Sequence, residues 1–346
     1  YELELISNYN RTSNHFVMTL IIYIISVRSV MTSPSLDECL YTSCYCDENI
    51  YQLCSHMSKK KENQANDKKG NFSSQATFTY NPRRWEIIQD LVYIDQDFTA
   101  DLGFVPRTDI LKWGNGIKRI FYTGSGIINT HAPRLLTVSY WRPALDYKKT
   151  DHRYSASWEV AFKNQATAEA VYTNNFIYLT RPFDPTRTEG ATPLPGDQGY
   201  HFNQLEMTYS SNTSKRFTYT TTAVLGRFFN GDIHSIRAEM GLRVQPKAQF
   251  SVGIDYNGIR LPEPYADADI FFATFKADIT FSKSVFWSTL AQYSNQQENL
   301  GINSRLQWRF APLSDLYLVY NDNYFTGTFG PRFRSLNLKL TYWLNL

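Results

Sequence analysis

The sequence has 346 residues, enough for one large domain or two ordinary ones. Its net charge of +3 is too small to indicate a nucleic-acid partner. Aromatic residues reach 16%, which is high for a soluble domain, yet the mean hydropathy of -0.40 is polar for a membrane protein. A transmembrane β-barrel combines both properties, because alternate residues face water and aromatic rings gather at both membrane interfaces. A soluble β-sandwich can share this composition, so composition alone leaves both classes open.

The first 70 residues differ from the rest of the chain. The apolar run from Phe16 to Val27 is shorter than the ~20 residues of a spanning helix. It also lacks the basic flank and the small-residue cleavage pattern of a signal peptide. The stretch from Ser58 to Gly70 is rich in Lys, Asn and Gln, a composition that favours disorder. We predict that residues 1–70 are a disordered or non-native segment and that the chain is a fragment of a longer protein.

The four cysteines all lie in this segment, at Cys39, Cys44, Cys46 and Cys54. A zinc site favours paired thiolates at a repeated spacing, and these spacings are irregular. The pattern predicts an incidental or disulfide-capable cluster, with no metal site and no cofactor.

From Phe72 onward, segments of about ten residues alternate between apolar and polar side chains. At the C-terminus, for example, Leu336, Leu338 and Leu340 alternate with Asn337 and Lys339. Because successive side chains of a strand point to opposite faces, each segment has one apolar and one polar face. The pattern predicts fifteen strands, over 72–80, 84–93, 108–122, 133–141, 152–163, 167–179, 201–210, 215–225, 232–243, 247–257, 269–281, 285–294, 299–310, 313–323 and 334–346.

The connections between these segments alternate in length along the chain. Short ones are predicted at 81–83, 164–165, 211–214, 245–247, 282–284 and 311–312, and long ones at 94–108, 142–151, 180–200, 258–268 and 324–333. Outer-membrane barrels have short periplasmic turns, longer external loops and an even number of strands. We therefore predict an all-β, antiparallel transmembrane β-barrel over residues 71–346, with one further strand upstream and the long loops outside.

Residues 71–346 resemble the C-terminal barrel of an uncharacterised Gram-negative outer-membrane family. The motifs that carry the resemblance are 97–107 (DFTADLGFVPR), 179–185 (LTRPFDP), 260–264 (RLPEP), 306–310 (LQWRF), 314–320 (SDLYLVY), 323–325 (NYF) and 340–346 (LTYWLNL). In that family the barrel follows a domain similar to the family-9 carbohydrate-binding modules, and some members are labelled hydrolases by association. The resemblance implies a glycan partner through an upstream domain, which residues 1–70 do not resemble.

Ionisable side chains recur at the polar positions of the predicted strands. They are Glu159, Lys163, Glu169, Glu206, Arg237, Glu239, Arg243, Asp255, Lys276, Asp278, Arg305, Arg309 and Lys339. One interpretation is a polar lumen whose charges filter solutes. The alternative is a wall of salt bridges that makes the barrel rigid. Acids and bases are mixed, so the pattern predicts no strong selectivity for one sign of charge.

The long loops carry aromatic rings beside charged groups. The candidates for a binding surface are Asp97, Phe98, Asp101, Phe104, Arg107, Phe183 and Tyr265, with Tyr324 and Phe325 as further rings. Such rings can stack on sugars, or they can belong to the membrane-interface girdle or pack over the barrel mouth, which we favour. The histidines, among them His131, His152, His201 and His234, are scattered near strand ends. We find no catalytic motif and predict no catalytic residue.

Two functional hypotheses follow. The first is an outer-membrane β-barrel that acts as a pore or as the anchor of an upstream exported domain, with lipid as its partner. The second is an outer-membrane enzyme or glycan-processing protein whose active residues lie upstream of this chain. A soluble β-protein is a weaker third possibility.

Overall fold

The computed structural model describes residues 18–26, 72–100, 105–328 and 330–343. The predictions of a disordered or non-native segment and of a cysteine cluster fall mostly on residues 1–17 and 27–71. These residues lie outside the described part of the chain, as do the loop candidates Asp101 and Phe104.

The described residues form strands joined by turns and loops. The strands are β1 (Met18–Ser26), β2 (Phe72–Tyr80), β3 (Trp85–Ile94), β4 (Ile110–Arg119), β5 (Phe121–Tyr122), β6 (Ile128–Arg142), β7 (Lys148–Phe162), β8 (Thr167–Leu179), β9 (Gln198–Ser210), β10 (Phe217–Phe228), β11 (Gly231–Val244), β12 (Ala248–Arg260), β13 (Ala268–Thr280), β14 (Val285–Ser294), β15 (Asn299–Ala311), β16 (Ser314–Phe325) and β17 (Gly330–Thr341). A short 3-10 turn, Pro143–Leu145, follows β6. Among the described residues no helix is both long and apolar enough to cross a membrane.

All fifteen predicted strands are present. The bounds of β2, β8 and β14 match the prediction, and the predicted strand 108–122 is divided into β4 and β5 at Ile120. One strand was not identified from the sequence, because β1 is an almost continuous apolar run and period-2 alternation cannot reveal such a strand. It pairs antiparallel with β2 along its whole length, from Met18↔Tyr80 to Ser26↔Phe72.

The strands belong to one antiparallel sheet in which neighbours in sequence pair with each other. By its contacts the chain divides into a smaller unit, residues 1–119 with 137–149, and a larger unit, residues 120–136 with 150–346. In the smaller unit β1, β2, β3 and β4 pair in order. In the larger unit β7 to β17 do the same. The predicted all-β, antiparallel fold class is confirmed.

The predicted alternation of short and long connections holds only in part. Phe229 and Asn230 close the β10–β11 hairpin, and residues 295–298 close β14–β15, where the alternation calls for long loops. Phe229 adopts a φ of 52° and Glu298 a φ of 46°, left-handed conformations that allow tight turns. Strands also extend into all five predicted long loops, so that Tyr324 and Phe325, for example, are strand residues of β16.

Successive connections of the larger unit lie at alternate ends of its antiparallel strands, called the turn end and the loop end. The turn end carries the connections 163–166, 211–216, 245–247, 281–284 and 312–313, and the loop end carries 180–197, 229–230, 261–267, 295–298 and 326–329.

Candidate functional site

One face of the sheet, named here the apolar face, presents large apolar side chains to its surroundings. On β17, Leu336, Leu338 and Leu340 are 67%, 69% and 64% exposed. In register with them on β16 lie Tyr320, Leu318 and Leu316. A soluble monomer rarely exposes so continuous an apolar surface, whereas a lipid-facing wall requires it.

Aromatic rings collect at both ends of the apolar face in the larger unit. At the turn end Phe310 stacks on Tyr342 with ring centroids 6.4 Å apart, and Trp308 packs against Phe310. At the loop end the Arg334 guanidinium donates to the hydroxyl of Tyr324, and Arg334 also pairs with Asp322. Eight residues separate Arg334 from Tyr342, about 26 Å along a strand at ~3.3 Å per residue. A strand tilted by ~40° would then span roughly 20 Å, close to the apolar band of outer-membrane barrels.

Two of the histidines come together at the loop end of this face, which the sequence did not indicate. Phe176 lies between His152 and His201, with ring centroids 5.5 Å and 4.4 Å away. His152 Nε2 is 2.9 Å from the Asn174 side-chain oxygen. These contacts make the rings part of an aromatic belt. Among the described residues no three His, Cys, Asp or Glu side chains are grouped to hold a metal ion.

His131 belongs to the corresponding belt at the opposite end of the strands. Its ring stacks on Phe121, with centroids 4.9 Å apart, and on Trp158, with centroids 5.5 Å apart. The imidazole therefore has aromatic packing partners on both sides.

The opposite face of the sheet, named here the polar face, carries the ionisable candidates. Directly opposed pairs share a face, and the register runs Glu159↔Glu169, Glu169↔Thr208, Thr208↔Thr222, Thr222↔Arg237 and Arg237↔Asp255. The same rule and the two-residue period place Glu206, Glu239, Arg243, Lys276, Asp278, Arg305, Arg309 and Lys339 on this face. Lys163 is the exception, because β7 ends at Phe162 and Lys163 lies in the following turn.

Several of these charges form ion pairs that remain open to solvent. Arg237 lies 2.8 Å from Asp255, Lys276 lies 3.1 Å from Asp278, and Arg309 lies 3.2 Å from Asp315. The side chains of Arg237, Lys276 and Arg309 are 63%, 53% and 49% exposed. Exposed pairs contribute about 0–1 kcal/mol each, so these three pairs add little to the stability of the sheet.

The smaller unit contains a buried charged network that sequence reasoning missed. Lys112 Nζ donates to Asp90 at 2.8 Å, and both side chains are nearly inaccessible. Gln75 and Thr77 also donate to the Asp90 carboxylate, each at 2.8 Å. A buried charge is costly unless it is paired and hydrogen-bonded, which explains why all these groups converge on one carboxylate.

The aromatic loop candidates of the smaller unit occupy different environments. Phe98 is buried, Asp97 is exposed, and the Arg107 guanidinium lies 5.5 Å from the centroid of the Tyr140 ring. The buried Phe98 ring is not presented to a ligand. Just before β4, Asp109 is a buried carboxylate that accepts from Arg142 Nε and the Ala144 amide, each at 2.9 Å.

In the larger unit the candidate Tyr265 packs against a cluster of loops, and the candidate Phe183, which is 41% exposed, lies at its edge. Leu194, Tyr200 and Phe229 form its buried centre, against which Tyr265, Phe228, Ile177 and Leu179 pack. The Phe183 ring lies 5.9 Å from that of Phe229. Ile177 pairs with Tyr200, and both have the polar-face parity of Glu169 and Glu206. The cluster therefore covers the loop end of the polar face.

The sequence-derived candidates did not include the centre of this cluster, Leu194 and Phe229. They also did not include the residues that anchor the loop, Asp184, Thr186 and Gln296. One signal was present, because Asp184-Pro185-Thr186 is a sequence typical of a side-chain-capped turn. The partners of the loop lie far away in sequence, and no local pattern identifies them.

The comparisons with known proteins add little to this picture. No family model matches the chain, and no curated protein matches it. Among solved structures, the chain is similar to "Outer-membrane expressed OmpT of Vibrio cholerae", at 10% sequence identity and a TM-score of 0.34. That match covers 80% of this chain and 88% of the other.

Proposed function

We propose that this chain is an outer-membrane β-barrel of a Gram-negative bacterium and that its polar face lines a water-filled pore. The observation that carries the proposal is the contrast between the faces of the strands. Leu336, Leu338 and Leu340 are largely exposed on the apolar face, while Arg237 and Lys276 are largely exposed on the polar face. Lipid on one side and water on the other would satisfy both sets of side chains.

The charges on the polar face argue for a general diffusion pore. Arg237, Lys276 and Arg309 alternate with Asp255, Asp278 and Asp315 within hydrogen-bonding distance. Because neighbouring charges cancel over short distances, the lumen favours small polar solutes without strong discrimination between anions and cations.

A barrel can also serve mainly as the anchor of an exported domain. The sequence resemblance to a family with an upstream carbohydrate-binding-like domain supports this role, with glycans as partners of that domain. In such a protein the barrel passes no current, so conductance separates the two roles.

The test has two stages. The purified protein is expected to require detergent and to shift on gels when heated, and ready solubility without detergent contradicts the membrane assignment. Reconstitution into a planar bilayer is then expected to give stepwise currents with an anion-to-cation permeability ratio near one. A correctly folded barrel that passes no current would identify an anchor instead of a pore.

A further inference from the structure

The connection between β8 and β9, the 180–197 loop, is far longer than its hairpin requires. Leu179 at the end of β8 is the cross-strand partner of Gln198 at the start of β9. Two to five residues commonly close such a hairpin, and about 18 are present here. Long loops of this kind with their own internal structure usually have a functional role.

The 180–197 loop has an ordered interior. The Asp184 carboxylate accepts from the Thr186 amide at 2.9 Å, the Thr186 hydroxyl at 2.7 Å and the Thr188 amide at 3.0 Å. Phe183 and Leu194 exchange backbone hydrogen bonds of 3.0 Å and 2.9 Å. Leu194 and Thr186 are 0% and 1% exposed. Such a loop is held in one conformation by its own bonds and burial.

The same loop reaches across the polar face. It packs on Phe229 of the β10–β11 hairpin and, through the same cluster, on Tyr265 of the β12–β13 loop. Further along, the Gln296 side chain of the β14–β15 hairpin donates to the Thr186 carbonyl at 3.0 Å. Adjacent strands lie about 4.8 Å apart, so β9 and β14 are separated by roughly 24 Å along the sheet. The 180–197 loop joins β9 and is hydrogen-bonded to the hairpin that follows β14. It therefore extends over the loop end of the sheet from β9 to β14.

The geometry points to a fixed constriction: the 180–197 loop narrows the entrance of the pore and limits passage to small polar solutes. This inference rests on the pore role proposed above. Anchorage at Leu194, at Asp184 and at Gln296 makes the loop a static element that does not open to admit a solute. Its exposed charges, Arg181, Arg187, Glu189 and Asp197, are of both signs, so the loop restricts size more than charge.

The principal experiment removes the constriction and leaves the wall intact. In the full chain, residues 182–195 are replaced by two glycines, which the adjacency of Leu179 and Gln198 allows. Bilayer conductance is expected to rise several-fold, and vesicles carrying the variant should admit larger sugars in a swelling assay. Heat-modifiable migration on gels shows that the variant is folded.

Three outcomes separate the two claims. A wild-type current that is unchanged by the deletion overturns the constriction and leaves the pore standing. Currents that are absent both with and without the loop overturn the pore and the constriction together. A weakly conducting wild type whose current rises several-fold in the deletion variant supports both.

A point variant tests the static character of the loop without altering the fold. Gln296→Ala removes the bond to Thr186, and Gln297→Ala is the matched control on the same turn, where only the backbone amide bonds to Ser294. Trypsin should cut the wild type and Gln297→Ala slowly after Arg187, and Gln296→Ala at least several-fold faster. Rapid cleavage of the wild type, at the rate of Gln296→Ala, would overturn the fixed constriction, because such a loop is already mobile.

Discussion

Apolar side chains on the two faces of the larger unit differ in their exposure. On the apolar face Leu338 is about two thirds exposed, and nothing in the described part of the chain covers it. On the polar face Tyr200 is buried together with Leu194 of the folded 180–197 loop. Contact between apolar side chains and water is unfavourable on either face. The difference is what the proposed barrel requires, with lipid against one face and the chain's own 180–197 loop against part of the other.

The largest expected effect comes from placing a charge on the apolar face. Leu338→Arg should cost about 2–4 kcal/mol of folding free energy in a bilayer, because the guanidinium enters the hydrocarbon layer. Asn337→Arg, one residue earlier on the polar face, is the matched control and should fold normally. Urea unfolding in lipid vesicles measures both. Equal losses in the two variants would contradict the assignment of the faces.

The buried side chain of the loop provides the converse test. Leu194→Ala leaves a cavity among Tyr200 and Phe229 and should destabilise the docked loop by about 2 kcal/mol. Cleavage by trypsin after Arg187 reports the undocking. Leu338→Ala should leave that cleavage rate unchanged, since Leu338 contributes nothing to the loop. A loop that remains equally protected in Leu194→Ala would show that the cluster does not hold it.

A glycine at the base of the loop should have a similar but smaller effect. A Cβ on Gly196 would lie 2.8 Å from the Arg181 backbone, so Gly196→Ala forces the two ends of the loop apart. We expect a loss of about 1–2 kcal/mol in loop stability, measured by hydrogen exchange of the Leu194 amide. Gly124→Ala is the control, because no atom lies within 4 Å of its added Cβ. Equal protection of the Leu194 amide in both variants would refute the close approach.

The smallest effects are expected from the exposed charges of the polar face. Arg237→Gln and Asp255→Asn should each change stability by less than about 1 kcal/mol, because their ion pair is solvent-exposed. Their effects on permeability should have opposite signs, with Arg237→Gln favouring cations and Asp255→Asn favouring anions. Reversal potentials in asymmetric salt measure the shift. Shifts in the same direction, or none, would remove these residues from the wall of a pore.

The strands were predictable from the sequence because their signal is local. Period-2 alternation requires only that one face be apolar, and it located β8 and β14 to the residue. The same reasoning missed β1, whose residues are apolar at consecutive positions. It also called for a long loop between β10 and β11, where only two residues are present. The tight turn depends on a left-handed φ at Phe229, and no glycine at that position signals it in the sequence.

The candidate site was less predictable because its contacts are distant in sequence. Thr186 and Gln296 are 110 residues apart, and nothing near either residue announces their hydrogen bond. Likewise, His152 and His201 are separated by two strand connections, and only the register of β7, β8 and β9 brings them beside Phe176. Alternation assigned the ionisable residues to one face, while the function of that face stays a prediction.

The pairing of Leu179 with Gln198 gives the protein a modular architecture. The ends of β8 and β9 are held together by the sheet, so the segment between them can lengthen, shorten or be exchanged without disturbing the wall. Under the proposed constriction, the width of the entrance and the stability of the sheet are set by separate parts of the polypeptide. The same junction would accept a foreign peptide for surface display, with the diameter of the aperture changing according to the graft.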